Sequence, residues 1–351
     1  MTTATPPPAP VPSTTDVSVN GSAVQVVGAE TDAAWDAGLA ASPQRAPFLK
    51  SAFLAAWQRA FEAPVERIGC QEQGRLIAGM AGRVRGAGSD RRLDHLSLIP
   101  YTGVWISAGP AALAHRADRR RRRILSALAE FTQSGYARAA IDCHPDCIDT
   151  RPLTWSGWRC EPRYTLTTDL TRLDEAAFDP DVRRRARRAA EAGVVCTDSV
   201  SPDEFAAIWR RTHARQGVEL PLSEARLARL IDDVRCCCGV EMRGARDARG
   251  ALLAANVVLV EGDAAWYWLA GFDPDAPHDG SPLLTVETLR ALAGRCHTFD
   301  WVGANTPSVA EFKQSFGPTL TPYFRVACRS DIAAPPAGWW RRIKSGLGRS
   351  G

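Results

Sequence analysis

Residues 239–272 read GVEMRGARDARGALLAANVVLVEGDAAWYWLAGF. Three runs rich in apolar, β-branched and aromatic residues stand out: Gly239–Arg243, Leu252–Val260 and Ala264–Phe272. Between them lie the turn signals Ala248–Arg249–Gly250 and Gly262–Asp263. Short runs punctuated in this way predict consecutive antiparallel strands. The longest apolar stretch, Ala251 to Val260, contains Asn256 and is too short to cross a bilayer, so it reads as a buried strand.

Working outward, Ser281 to Ala293 reads as a helix, His297 to Val302 as a strand, and a short helix leads to a last strand near Tyr323–Cys328. Upstream, Asp179–Pro180 supplies an N-cap and a first-turn proline for a helix that Gly193 stops. Val194 to Thr197 is a strand. Ser201–Pro202–Asp203–Glu204 has the spacing of a capping box, with Phe205, Ile208, Trp209 and Thr212 forming the buried face behind it. Leu227, Leu230, Ile231 and Val234 repeat that spacing in the next helix. The order is strand, two helices, three antiparallel strands, helix, strand, short helix, strand.

The first half is α/β as well. A strand begins near Ala23, and Phe48, Phe53, Trp57 and Phe61 approximate the spacing of a helix that Pro64 ends. Strands at 65–71 and 75–84 flank a Gln73–Gly74 turn. His95 to Ile106 is apolar and closes a strand in a Pro/Gly loop. Ala111 to Ser134 is one long helix carrying the run Arg119 to Arg123, and strands follow at Tyr136–Asp142 and Trp158–Leu170.

Composition sets the limits. With 351 residues, 45% apolar and 23% charged, the chain fits two packed domains. A net charge of +4 is mild and does not demand a nucleic-acid partner; DNA is not expected. Residues 1–20 are rich in Pro, Thr and Ser and predict disorder, and Met1 to Thr15 lacks the basic start and apolar core of a secretory leader. The ten cysteines are therefore expected as free thiols in a cytoplasmic protein. Cys143–His144–Pro145–Asp146–Cys147 has no second pair to complete a metal site, so no metal is expected. Lysine is scarce: Lys50, Lys313 and Lys344 stand among many arginines.

The segments Asp181–Gly193 (DVRRRARRAAEAG), His213–Gly217 (HARQG), Trp266–Phe272 (WYWLAGF), Gly280–Leu284 (GSPLL), Phe299–Gly303 (FDWVG) and Phe312–Gly317 (FKQSFG) succeed one another over about half the chain. In that order they resemble the GNAT-like domain of the FemAB/CelD-like acyltransferases. The resemblance implies tandem GNAT-like domains of mixed, mostly antiparallel sheets with helices on both faces. The division it suggests is a disordered segment 1–20, a degenerate first copy 21–164, an active copy 165–330 and a flexible basic tail 331–351. It implies transfer of an acyl group from acyl-CoA, or an aminoacyl group from charged tRNA, onto an amine. The acceptor would be a small molecule or sugar-linked, in envelope or polysaccharide synthesis. A catalytically silent scaffold in a polysaccharide-synthesis assembly is the alternative.

Acyl transfer needs a gap for the donor, a neutral nucleophile, and positive charge or N–H groups near the developing oxyanion. In a GNAT sheet the donor lies between two splayed parallel strands, here Ala264–Phe272 and His297–Val302. Lys313, matching a transition-state lysine of the related aminoacyl transferases, and Asp300 beside the gap are the catalytic candidates. Tyr101, Trp268 and Asn305 are candidates for binding substrate. Arg184, Arg187 and Arg188, on one helix face opposite Val182, Ala186 and Ala189, either grip an anionic acceptor or form a solvated basic face. Gly280 and Ser281 open a helix whose amides suit a phosphate, although the glycine-rich CoA loop of ordinary GNAT enzymes is absent. Trp339–Trp340 with Arg341, Arg342 and Lys344 suits a weak membrane-surface contact or a loose terminus.

Overall fold

A computed structural model describes residues 17–19, 22–109, 113–216 and 219–329. The expectations for residues 1–16, for the tail with Trp339 to Lys344 and for Gly217 lie outside the described residues. The first half contains strands β1 (Val17–Val19), β2 (Ser22–Val27), β3 (Val65–Glu72), β4 (Arg75–Arg85), β5 (Arg92–Asp94), β6 (Trp105–Ile106), β7 (Arg138–Asp142) and β8 (Arg159–Asp169). Its helices are α1 (Asp32–Ala40), α2 (Ser51–Phe61), α3 (Ala114–Gly135) and α4 (Arg151–Trp155). The second half contains α5 (Pro180–Glu191), β9 (Val195–Thr197), α6 (Pro202–Gln216), α7 (Glu224–Val234), β10 (Gly239–Arg246), β11 (Leu252–Glu261) and β12 (Ala264–Phe272). After these come α8 (Ser281–Ala293), β13 (Thr298–Asp300), α9 (Pro307–Gln314) and β14 (Thr319–Cys328).

Local chemistry fixes these bounds. The Asp179 carboxylate accepts from the Asp181 amide (2.7 Å) at the start of α5. Both arms of the α6 capping box form: the Ser201 amide donates to Glu204 Oε2 (3.0 Å), and the Glu204 amide donates to Ser201 Oγ (3.2 Å). Such a cap stabilises a helix by about 1 kcal/mol. Gln73 and Gly74 both adopt positive φ (49° and 75°), the turn geometry that matches the twist of the β3–β4 hairpin.

Among the described residues all fourteen strands share one sheet, in the order β1-β2-β3-β4-β5-β7-β14-β8-β13-β12-β11-β10-β9, with β6 set against β4. The mixed, mostly antiparallel pairing expected of tandem GNAT-like halves is present, and the two halves share one continuous sheet. Apart from β1 and β6 its order is symmetric about the central β14–β8 pair, and apart from these and α5 each half repeats the same succession of elements. β5 and β7 correspond to β12 and β13, the parallel neighbours of each half. Parallel strands need a crossover, supplied by α3 in one half and α8 in the other. The last strand of each half is exchanged: β14 lies against β7, and β8 lies against β13. The expected division at 164/165 thus falls inside β8, a strand that serves both halves.

Helices cover both faces. α1, α2, α6 and α7 share one core, where Phe53 meets Trp268 edge-on (ring centroids 5.5 Å) and Phe48 meets Trp266 (6.4 Å). α3 covers the other face of the first half, and α5 with α8 that of the second. Two helices absent from the sequence reading, α1 and α4, are short. The segment His95–Val104, expected to close a strand, is instead a largely buried loop, with only Trp105–Ile106 extended beyond it.

Candidate functional site

In the second half the parallel pair opens. β12 and β13 pair through Ala264–Thr298, Ala265–Phe299 and Trp266–Asp300, and then part. β12 runs on to Phe272 with no partner on that side among the described residues. A bulge contributes to the parting: Val257 faces Leu269 and Val258 faces Tyr267, which leaves Trp268 as the extra residue. Beyond the bulge Ala270 and Phe272 are exposed. Gly271 between them lies so close to α6 that a Cβ there would stand 3.0 Å from the Trp209 backbone. The result is a slot between the free edge of β12 and the chain leaving β13.

That departing chain turns sharply. Val302 has φ 51° and Gly303 φ 74°. A left-handed valine is strained by about 1–3 kcal/mol, so the surroundings must hold it. Two groups do. Lys313, from α9, donates to the carbonyls of Trp301 (2.5 Å), Val302 (2.6 Å) and Gly303 (3.0 Å). The Asp300 carboxylate accepts from the Val302 amide (2.8 Å), Thr165 Oγ1 (2.6 Å) and the Tyr101 hydroxyl (2.8 Å).

The electrostatics stem from burial. Lys313 is 7% exposed, and desolvation lowers its pKa to about 8 against the pull of Asp300. Burial raises the pKa of Asp300, while its three donors and Lys313 oppose the rise. Burial first, then Asp300, raises that of Tyr101. Every N–H of the ammonium is directed at a carbonyl, so Lys313 supplies a buried positive charge beneath the turn rather than a free donor in the slot.

The other candidates divide. Asn305 belongs to the cluster: its Nδ2 donates to the Tyr164 carbonyl (3.1 Å) and Tyr323 Oη (3.1 Å), and its Oδ1 accepts from the Tyr164 amide (3.0 Å). Trp268 is 5% exposed and donates to the Leu98 carbonyl (2.7 Å), which ties the bulge to the first half. Gly280 packs tightly on β10 and β11, where a Cβ would stand 2.8 Å from that of Ala245. The Ser281 amide already donates to Asp279 Oδ1 (3.0 Å), and Asp279 pairs with Arg185. Arg184 pairs with Asp181, Arg187 stands 3.7 Å from Glu191, and Arg188 is exposed; none of them contacts the turn. Thr165 and Tyr323 join the cluster without a sequence signal, since no local pattern distinguishes them from other strand residues.

A cavity of about 740 Å³ opens elsewhere, at the outer edge between β10, α7 and Asp198–Glu204. None of the residues that line it belongs to the Lys313–Asp300 cluster. Among the described residues no group of three His, Cys, Asp or Glu side chains is placed to hold a metal, and no helix is long and apolar enough to cross a membrane.

Comparison with known proteins agrees with this architecture. Residues 177–314 match the family described as acetyltransferase (GNAT) domain. The crystal structure of FemX superposes with a TM-score of 0.60 at 13% identity, covering 86% of this chain and 96% of that one. A tandem GNAT protein from the clavulanic acid biosynthesis pathway gives 0.53 at 15% identity, covering 88% and 98%. The C-terminal domain of a putative lysylphosphatidylglycerol synthetase from Agrobacterium fabrum gives 0.52 at 16%, covering 85% and 91%. At these identities the likeness is one of fold. No curated protein matches the chain in sequence.

Proposed function

We propose that this tandem GNAT-fold chain, with its acetyltransferase (GNAT) domain at residues 177–314, transfers an acyl group from acyl-CoA to an amine in the slot between β12 and β13. The observation that carries the reading is the parting of those strands after Trp266 and Asp300. The free β12 edge offers backbone amides and carbonyls to an extended donor, and the exposed Ala270 leaves room beside them. A neutral amine attacks the thioester carbonyl; a C–N bond forms, the C–S bond breaks, and the leaving thiolate takes the amine's proton.

In this reading Lys313 holds the Trp301–Gly303 turn open and places positive charge near the developing oxyanion. Asp300, held by Tyr101 and Thr165, keeps that charge in place. The resemblance to FemAB-like enzymes makes a sugar-linked envelope precursor the acceptor, in the cytoplasm, with charged tRNA as the other donor to test.

Asp279 at the start of α8 favours a second reading, a catalytically silent scaffold, because its carboxylate occupies an amide that a phosphate would use. Calorimetric titration decides between them. The wild type should bind acetyl-CoA, and Ala270→Trp, which fills the slot, should not. Absence of binding by the wild type to both acetyl-CoA and charged tRNA would sink the transfer reading.

A further inference from the structure

The seam between the halves carries charge that the slot does not use. On one face of the central pair, Tyr323 lies across from Arg163 and Arg325 across from Glu161. Asp142 at the end of β7 is 4% exposed and accepts from Arg325 at both oxygens (2.6 and 2.7 Å), while His95 Nδ1 stands 3.3 Å from Oδ2. That carboxylate is fully matched.

Arg163 is not. Its side chain is 27% exposed, its Nε is buried without a hydrogen bond, and its nearest acid, Glu161 Oε1, lies 3.4 Å away without hydrogen-bond alignment. Among the described residues its guanidinium donates to nothing. Glu161 Oε2 is likewise buried and unbonded. A guanidinium whose Nε is cut off from water without an acceptor is better satisfied when an anion completes it, and its planar fork suits a carboxylate or phosphate.

Position links this seam to the slot. Tyr101 joins them: its ring meets Tyr323 edge-on (5.2 Å) while its hydroxyl holds Asp300. β8 stands two strand spacings from β12, roughly 10 Å. Thr165, which contacts Asp300, is on the same strand two residues from Arg163.

We infer that Arg163 is the anchor for an anionic group, a carboxylate or a phosphate, on the acceptor whose amine enters the slot. Its place in the reaction rests on the transfer reading, but the anchor itself is tested without a donor. The probes are 6-aminohexanoate, 6-aminohexyl phosphate and hexylamine, each titrated by calorimetry into wild type, Arg163→Met and Arg163→Lys.

At least one anionic probe should bind the wild type at least tenfold more tightly than hexylamine, and which one does so identifies the anion. Arg163→Met should lose that preference and Arg163→Lys should recover part of it. Equal binding of all three probes to the wild type would overturn the anchor, a result that requires no variant to fold. A preference unchanged in Arg163→Lys and Arg163→Met would overturn it too. Failure of acetyl-CoA to bind, with the anionic preference intact, would count against the transfer reading alone.

Discussion

The two halves carry the same pair of parallel strands and treat the space beyond it differently. In the first half, β5 and β7 pair at Arg92–Arg138 and Leu93–Ala139 and then diverge, as β12 and β13 do. There the gap is filled by the half's own chain. Leu96, Ile99, Tyr101, Thr102 and Val104 are buried in it, the Thr102 and Gly103 amides donate to the Asp142 carbonyl (2.9 and 3.1 Å), and Gly103 bridges to Cys143. In the second half the corresponding chain, after the bulge at Trp268, stays on its own edge and leaves the space open. One fold thus yields a plugged gap and an open one, and the plug carries Tyr101 across to Asp300 of the open copy. In the proposed transfer reading the first half supports the second half's site rather than forming a second one.

The sharpest way to break this contrast is to plug the open gap. Ala270→Trp should weaken acetyl-CoA binding at least a hundredfold, about 3 kcal/mol, with little change in denaturant midpoint, because Ala270 is exposed. A midpoint that falls as far as the affinity would mean the position is structural.

Lys313 gives a pH signature of similar size. Its pKa falls from 10.5 to about 8 on burial. Below pH 8 both native and unfolded chains hold the proton, and the cost of burying the charge is fully present. Between 8 and 10.5 the native state releases it first, so stability contributed at this position rises with pH. Wild type should therefore gain about 3 kcal/mol on Lys313→Met between pH 7 and pH 10.5 in matched denaturant titrations. A constant difference would show that Lys313 does not titrate in this range.

Tyr101→Phe tests the reach from plug to slot. It leaves Asp300 Oδ2 buried without its donor, which should cost about 1–3 kcal/mol of stability. The smallest effect is expected for Trp268→Phe, which keeps most of the packing against Phe53 but strands the Leu98 carbonyl, costing about 1 kcal/mol in the same titration.

The sequence makes the succession of elements in the second half legible because its signals are local: Asp179 with Pro180, the Ser201–Glu204 box, and the Gly250 and Gly262 turns all act within a few residues. The resemblance to FemAB-like proteins holds at the level of fold. What local signals cannot carry is partnership at a distance. Tyr101 and Asp300 are 199 positions apart, and nothing near either one announces the other. The exchange of β8 and β14 is hidden for the same reason, since each reads as an ordinary strand whichever half it joins. The loop from His95 to Val104 looks like a strand because it is apolar, and it is apolar because it plugs a gap. Lys313 stands out by rarity, yet its three carbonyl partners depend on a left-handed Val302 that no propensity suggests.

Backbone NMR of the isotopically labelled chain during acetyl-CoA titration tests the contrast most directly. The account predicts shift changes concentrated at Trp268–Phe272 and Trp301–Gly303, with Leu96–Val104 responding only near Tyr101. Changes centred on the β5–β7 gap, or spread equally over both copies, would contradict it.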